Sequence, residues 1–243
     1  MSPPSALASP TTPPSATPVT PAALDRTRQA APQVFEQLRE RIVSLALPPG
    51  TVLARAELAQ AFGVSQTPVR DALMRLGEEG LVDVFPQHAT LVSRIDTASA
   101  AEVHFMRRSI EIEVAGTLAQ APSRAPLEAL AAVLKRQAAL LAAGDHGAFI
   151  EADREFHRLL YAAAGVTRLF DLVRRMSGHA DRLRRLHLPT RGKGQAVVRD
   201  HRRIVEAIAR GDVDAARDAV REHLSDTQAH MDALRSKYPQ FVI

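Results

Sequence analysis

Apolar positions recur at helical spacing in three short segments near the start of the chain. Residues 33–46 and 55–62 each carry one apolar stripe, and a third stripe follows Gly63. Intervals of three and four residues between apolar positions predict an amphipathic helix in each segment. Two β-prone runs come next, residues 81–85 and 90–95, with a turn between them. The pattern therefore predicts three helices followed by a two-stranded wing.

The third segment has clear start and stop signals. Ser65 stands where its hydroxyl would cap the first turn of a helix. Pro68 lies within that turn, where a missing N–H has little effect. Gly80 follows the last turn, where a left-handed residue commonly ends a helix. The apolar face of this predicted helix consists of Val69, Ala72, Leu73 and Leu76.

A helix, a short glycine turn and a second helix form the helix-turn-helix arrangement, which places the second helix in a DNA major groove. The polar residues in the first turns of that helix would then face the bases. An ordinary amphipathic surface helix is the alternative interpretation. The candidate DNA contacts are Arg55, Ser65, Gln66, Thr67, Arg70 and Arg75, with His88 in the wing turn.

Beyond the wing, alanine and leucine dominate and the pattern is helical throughout. Residues 96–100 are expected to form a hinge, and Ser99 with Glu102 matches a capping box for the next helix. Pro, Gly or Asp separate the predicted helical segments 99–120, 124–143, 145–164, 166–187, 194–210 and 212–236. The predicted fold is mostly α, with a disordered tail at 1–31, an N-terminal winged helix-turn-helix domain at 32–95, an all-α helical bundle at 96–236 and a C-terminal tail at 237–243.

Composition limits the classes of protein that fit. Met1 to Ala31 is rich in Pro, Ser, Thr and Ala without apolar periodicity, which is typical of disorder and unlike a secretory signal. The chain has no cysteine, which excludes disulfides and thiolate metal sites and suits a cytoplasmic protein. A net charge of +4 permits nucleic acid as a partner. No apolar run is long enough for a membrane span, so no membrane partner is expected.

One carboxylate and three histidines in the helical region form a candidate metal site. Asp153 and His157 are four residues apart, so both would project from one helical face. His201 and His223 lie in two later predicted helices. A carboxylate with imidazoles and no thiol suits a divalent transition metal ion such as Zn, Ni or Mn. Because nine histidines are scattered through the chain, unconnected surface histidines are the alternative.

Arg107 is a candidate for effector binding. A guanidinium can clamp a carboxylate through two parallel hydrogen bonds. Glu111 follows one helical turn later, so a structural pair between the two residues is an equally supported interpretation.

The segment GVSQTPVRDAL, with Leu53 and Glu57-Leu58-Ala59 before it and Gly80-Leu81-Val82 after it, resembles the winged helix of the GntR family of bacterial transcription regulators. Three sites depart from that family's pattern. Gln66 stands where the family often has arginine, and Arg55-Ala56 stands where Glu-Arg is often found. Ala89 stands where a wing-tip glycine is common. Glutamine pairs better with adenine and arginine with guanine. The resemblance therefore implies DNA binding with an altered operator preference.

Two later stretches resemble the FCD effector domain of the FadR subfamily. DREFHRLLY at 153–161 is similar to its D-x-x-F-H motif, residues 199–224 are similar to its last two helices, and MRRSIEIEV resembles the R-x-x-x-E of its first helix. The resemblance implies a metal ion held by Asp153, His157, His201 and His223. It also implies a homodimeric, metabolite-responsive regulator of double-stranded operator DNA, usually a repressor, with a small carboxylic acid as effector.

Two other functions remain as alternatives at this point. A metal-dependent enzyme would use an open metal position to activate water. It would also need a general base, and no glutamate stands in a recognisable relation to the ligands, so we do not expect an enzyme. The other alternative is a constitutive DNA-binding protein whose metal is purely structural.

Overall fold

The computed structural model describes residues 21–85, 89–229 and 231–243. The N-terminal part contains helices that pack around one core, and a small antiparallel sheet that extends from it. These elements are α1 (Ala30–Val43), α2 (Arg55–Phe62), α3 (Gln66–Glu78), β1 (Val82–Phe85) and β2 (Ala89–Val92).

Two glycines with positive φ set the turns on either side of α3. Gly63 (φ 65°) links α2 to α3, and Gly80 (φ 68°) follows the end of α3. Glycine reaches this left-handed region without a steric penalty, so both helices can stop abruptly there. The apolar faces of α1, α2 and α3 then meet in one buried cluster that includes Leu38, Phe62 and Leu76.

Ser65 occupies the N-cap position of α3, but its hydroxyl makes no capping hydrogen bond. The predicted capping role of this hydroxyl is therefore wrong. An N-cap side chain accepts a hydrogen bond from the second or third residue of the helix. The third residue here is Pro68, which has no N–H to donate.

The two strands form a hairpin in which Val82 pairs with Val92 and Phe85 pairs with Ala89. An isolated bridge from Val52 to Leu91 ties the segment before α2 to the wing. The wing turn, residues 86–88, lies outside the described residues, and so does the predicted contact His88.

The C-terminal part is a helical bundle. Helices α4, α9 and α10 pack together, and α5 and α6 cover the other side of α9 and α4. None of the helices among the described residues combines the length and the apolar character needed to cross a bilayer. The helices are α4 (Thr97–Gln120), α5 (Arg124–Ala142), α6 (His146–Ala163), α7 (Thr167–Met176), α8 (Gly178–His187), α9 (Lys193–Ala209), α10 (Val213–Ala229) and α11 (Met231–Lys237).

Helix α4 begins earlier than predicted. Asp96 is its N-cap residue, and its carboxylate accepts from the backbone N–H of Ala98 at 2.8 Å and from the hydroxyl of Ser99 at 2.7 Å. Asp96 thus takes the role that the capping box gave to Ser99 and Glu102, so that prediction is wrong. Of the predicted hinge at 96–100, only Asp96 lies outside the helix.

The predicted segment 166–187 is two helices, α7 and α8, with a break at Ser177. The hydroxyl of Ser177 donates to the carbonyl of Val173 at 2.7 Å. A serine that hydrogen-bonds back by one turn competes with the helical ladder and bends the chain. The bend lets α8 turn towards the winged domain.

Both ends of the described chain pack on the domains. Before α1, the backbone N–H of Asp25 donates to Gln33 at 2.7 Å, so ordered structure starts ahead of the tail boundary expected near residue 31. After α11, Val242 forms a parallel bridge with Ile95. Arg94 donates to the carbonyls of Pro239 and Val242. The last residues therefore lie against the junction between the two domains.

Candidate DNA-binding face and metal centre

The first turns of α3 present exposed polar side chains. Gln66, Thr67 and Arg70 are all exposed, whereas Val69 is fully buried against the core. Arg70 lies 3.4 Å from Asp71, a solvated contact that leaves most of its guanidinium free for another partner. The exposed polar face and the buried apolar face are on opposite sides of the helix, as the sequence predicts.

A cleft between α3 and the wing gathers part of the predicted DNA contacts. Arg55, Gln66 and Arg70 line it together with Val84 and Thr90 of the wing. The cleft also contains three exposed apolar side chains that sequence analysis missed, Met74, Val84 and Phe85, which are 55%, 56% and 50% exposed. Their exposure depends on how the wing folds against α3, and spacing alone does not reveal it.

Arg75 lies apart from this cleft. Its guanidinium stands 4.0 Å over the ring of Phe35. It lines a separate groove that faces the bundle, together with Glu78 and Arg175. This position points away from the face formed by Gln66 and Arg70.

The candidate metal ligands converge inside the bundle from three helices. Asp153 and His157 are on α6, His201 is on α9 and His223 is on α10. One nitrogen from each histidine lies within 4.8 Å of the others. Nε2 of His201 is 3.2 Å from Nε2 of His223 and 3.6 Å from Oδ1 of Asp153. Two ligands on one ion with bonds of about 2.0–2.1 Å stand about 3.0–3.4 Å apart, so the site is already near that size.

Neighbouring side chains fix the orientation of the imidazole rings. Oε1 of Gln137, which is fully buried, lies 3.0 Å from Nδ1 of His201. The ring of Phe156 stacks on His201 with centroids 3.9 Å apart. Nδ1 of His157 faces Oε2 of Glu111 at 2.8 Å. With these Nδ1 atoms facing polar partners, Nε2 of His201 and His157 is left for a metal.

The protonation states also suit metal binding. Burial lowers the pKa of His157, with the Arg107 guanidinium adding to the effect. Burial, together with His223, lowers the pKa of His201 well below its ordinary value. Neutral imidazoles are the form that ligates. Nε2 of His157 is also buried without a hydrogen-bond partner among the described residues, which is costly unless a ligand completes the site.

Asp153 is held as a carboxylate. Burial alone would raise its pKa, but the Arg184 guanidinium lowers the pKa of Asp153 well below its usual range. Arg184 contacts Oδ2 at 2.9 Å, while Oδ1 faces His201. One carboxylate oxygen is thus occupied by arginine and the other is directed at the histidines. The donor set of one carboxylate and three imidazoles fits a divalent transition metal ion.

A pocket adjoins this cluster between α4, α6, α7 and α8. Its cavity volume is about 40 Å³. This is below the range of about 300–1,000 Å³ that is usual for drug-sized ligands, so the pocket suits only a small ligand. The lining includes four arginines, Arg107, Arg154, Arg174 and Arg184, two carboxylates, Glu111 and Asp181, and the apolar side chains Ile150, Phe170 and Val173.

Arg107 fits both of the interpretations that the sequence allowed, a structural pair and a ligand contact. Its Nε contacts Oε1 of Glu111 at 2.6 Å, which makes the structural pair. It also lines the pocket, and the contact with Glu111 uses only Nε of the guanidinium. The Arg107 guanidinium and His157 offset the effect of burial and hold the pKa of Glu111 well below its usual range, so the pair is charged.

Helix α7 connects the pocket to the DNA-binding domain. Arg174 lines the pocket with its side chain, and its backbone carbonyl accepts from Nη2 of Arg39 at 2.7 Å. Nε of Arg39 contacts Glu79 at 2.6 Å, and Glu79 is the C-cap residue of α3. A single arginine of α1 therefore bridges the pocket wall and the end of the helix that carries Gln66 and Arg70.

A second contact between the domains centres on Arg182, which is fully buried. Its Nη1 donates to the carbonyl of Ser93 at 2.7 Å, and its Nη2 lies 3.0 Å from Nδ1 of His179. The same Nδ1 accepts from the backbone N–H of Asp96 at 2.9 Å. Sequence analysis gave no signal for this network, because arginine and histidine on a helical segment usually face solvent.

Comparisons with known proteins agree with both halves of the structure. Residues 30–92 match the family model of bacterial regulatory proteins of the gntR family, and residues 102–226 match the FCD domain. An uncharacterised HTH-type transcriptional regulator in an unstable DNA locus of Streptomyces ambofaciens is 35% identical over 207 residues, which cover 85% of this chain and 87% of that protein.

The HTH-type transcriptional repressor RspR of Escherichia coli (strain K12) is 28% identical over 214 residues, 88% of this chain and 94% of that protein. The solved structure of E. coli McbR/YncC superposes with a TM-score of 0.69 at 21% identity, over 87% of this chain and 99% of that one, which supports the fold. These proteins are DNA-binding transcription regulators rather than enzymes. The chain therefore belongs to the GntR family of bacterial transcription regulators and carries an FCD domain behind its winged helix-turn-helix domain.

Proposed function

We propose that the protein is a metabolite-responsive repressor that binds a palindromic operator as a cytoplasmic homodimer. A small carboxylic acid, bound beside a divalent metal ion in the bundle, modulates its affinity for DNA. The observation that carries this proposal is the meeting of Asp153 with three histidines next to an arginine-lined pocket. The pocket wall also contacts the residue that holds the end of α3.

The ion, which we expect to be Zn, Ni or Mn, would be held by Asp153, His157, His201 and His223. When bound, the ion would act as a Lewis acid, and its remaining coordination positions would suit a carboxylate oxygen. Arg107 lines the adjacent pocket and offers its terminal N–H groups to the same carboxylate. Glu111 keeps Arg107 in place and faces His157.

Two copies of α3 would contact two half-sites, because a two-fold dimer matches a palindromic operator. Arg55, Gln66, Thr67 and Arg70 are the side chains we expect at the DNA. A ligand that contacts α7 would shift the carbonyl of Arg174, which Arg39 holds. The effector would thereby bias the angle between the domains and the spacing of the two α3 helices.

The test is a titration of small carboxylic acids against a complex of the protein with an operator selected from a random DNA library. Metal-loaded protein should release DNA on addition of an acid, and protein stripped by a chelator should not. A metal that only stabilises the bundle would leave DNA affinity unchanged by every acid, and the sensor function would then be wrong.

Variants of the ligands sharpen this test. His201→Ala and His223→Ala should each lose the bound metal and the acid response, while Asp153→Asn should lose less of both. His146→Ala is the matched control, since His146 is exposed at the start of α6. Equal metal content in all four variants would mean that the residues do not share one ion.

A further inference from the structure

Positive and negative groups are unevenly distributed along the effector pocket. At its inner end, next to His157, Arg107 is paired with Glu111 at 2.6 Å. Arg184 contacts Asp153 at 2.9 Å and Asp181 at 3.3 Å. The arginines at the inner end are therefore neutralised by carboxylates of the protein itself.

The other two arginines of the lining are different. Arg174 is exposed on α7, and no carboxylate of the described residues pairs with its guanidinium. Arg154 lines the pocket from α6 and pairs with Glu151 at 2.8 Å, whose side chain is 48% exposed. An ion pair with a solvated carboxylate is weak and readily exchanged for another partner. Arg154 and Arg174 are therefore available to an anion.

Apolar side chains also line the pocket. Ile150 and Val173 are buried, and Phe170 lies on the same face of α7 as Val173 and Arg174. On α6, Ile150, Arg154 and His157 recur at intervals of four and three residues, so they share one face. A ligand that fills the pocket therefore meets the proposed metal position beside His157, apolar side chains, and the guanidiniums of Arg154 and Arg174.

We propose that the effector carries two anionic groups joined by an apolar spacer, as a dicarboxylic acid does. One carboxylate occupies the inner end beside His157, and the second is held by Arg154 and Arg174. Arginine suits this role because its planar fork matches a carboxylate through two hydrogen bonds. The inference rests on the proposed function and adds the class of acid that the pocket selects.

The experiment compares acids of equal chain length that differ only in the second carboxylate. Succinate is paired with butyrate, and glutarate with valerate, and each is titrated by calorimetry into the metal-loaded full chain. At least one dicarboxylate should bind about tenfold more tightly than its partner, because one charge-assisted contact is worth about that factor. Equal affinities within both pairs would overturn the inference and leave a monocarboxylate sensor in place.

Arginine variants locate the second carboxylate. Arg174→Gln should remove most of the preference for the dicarboxylate and leave monocarboxylate binding unchanged. Arg175→Gln is the matched control, because Arg175 is the next residue of α7 and lines a different groove. Equal loss for both kinds of acid in Arg174→Gln would contradict the inference. If the metal-loaded protein binds none of the four acids, both the inference and the carboxylate-sensing function fail.

Discussion

Glu111 illustrates how one side chain supports two others at the centre of the bundle. Its Oε1 contacts Arg107 and its Oε2 faces Nδ1 of His157. A carboxylate behind a metal-binding histidine fixes the ring and raises its basicity as a ligand. The same carboxylate keeps the buried guanidinium of Arg107 charged and oriented at the pocket. Glu111 is therefore a positioning residue for both parts of the site.

Replacing Glu111 by glutamine tests this role. We expect Glu111→Gln to lower metal affinity by about 10–100-fold, as the loss of such an outer partner commonly does. Competition titration of zinc against a chelator measures the change. Glu113→Gln is the control, since the side chain of Glu113 is 68% exposed and pairs with Arg217 on the surface. Identical zinc affinities for the two variants would remove Glu111 from the site.

Gln66 is the residue where DNA specificity can be changed with least effect on the fold. It is exposed at the start of α3, and its amide suits adenine, whereas a guanidinium suits guanine. Gln66→Arg should shift the preference at one position of each half-site towards guanine, by about 1–3 kcal/mol. Selection of operators from a random library by both proteins provides the comparison. The same consensus from both would show that Gln66 contacts no base.

The candidate site could be predicted from the sequence only in part. Asp153 and His157 are one turn apart on a helix, so their shared face follows from periodicity. His201 and His223 lie on other helices, so residue type alone suggested them as ligands and the family resemblance supported joining them to the first two. Gln137 gave no signal, because its role depends on how α5 packs against α9. A contact between distant segments leaves no periodic trace in either of them.

At the scale of elements, the break between α7 and α8 determines how the bundle meets the winged domain. The segment was predicted as one helix, because helical periodicity continues through Ser177. Gly178 begins α8, and a Cβ built at this position would stand 2.6 Å from Cδ2 of Leu81. Leu81 is fully buried in the core of the winged domain. The glycine is thus needed for close approach rather than for an unusual φ.

Gly178→Ala should therefore destabilise the protein although alanine favours helices. Inserting a methyl group into a packed contact costs about 1–3 kcal/mol. Urea unfolding followed by circular dichroism measures the loss. Gly147→Ala is the control, because the nearest atom to a Cβ at Gly147 is Oδ1 of the N-cap residue Asp145, 3.5 Å away. Alanine there should be neutral or stabilising, by up to about 1 kcal/mol. Similar behaviour of both variants would contradict the close contact with Leu81.

At the scale of the whole molecule, the two domains meet through buried polar groups whose protonation matters. His179 accepts from the N–H of Asp96 and lies beside Nη2 of Arg182, both through Nδ1. Burial, with the charge of Arg182, lowers the pKa of His179 to about 4. Nδ1 of His179 can accept a hydrogen bond only when the ring is neutral. A proton on Nδ1 would place a second positive charge against Arg182 inside the junction.

This network predicts a loss of stability in mild acid. The pKa of His179 is lower in the folded chain than the value of about 6.5 in an unfolded one, so the unfolded state binds the proton more tightly. The contribution is therefore fully present above about pH 6.5 and is lost as the pH falls towards 4. The difference in pKa corresponds to at most about 3.4 kcal/mol of unfolding free energy. Glutamine can accept and donate in the same place without titrating.

His179→Gln should thus unfold with a flatter dependence on pH than the natural chain, when both are measured by urea titration between pH 7.5 and about pH 4.5. The natural chain should be the more stable protein at the upper end of this range, and its advantage in unfolding free energy should shrink steadily below pH 6.5. The reason is that His179 takes up a proton when the natural chain unfolds, whereas glutamine does not titrate. His146→Gln, which changes an exposed histidine, should retain the slope of the natural chain. Parallel curves for all three proteins would mean that His179 is already solvated in solution, and that the domains do not meet through this buried network.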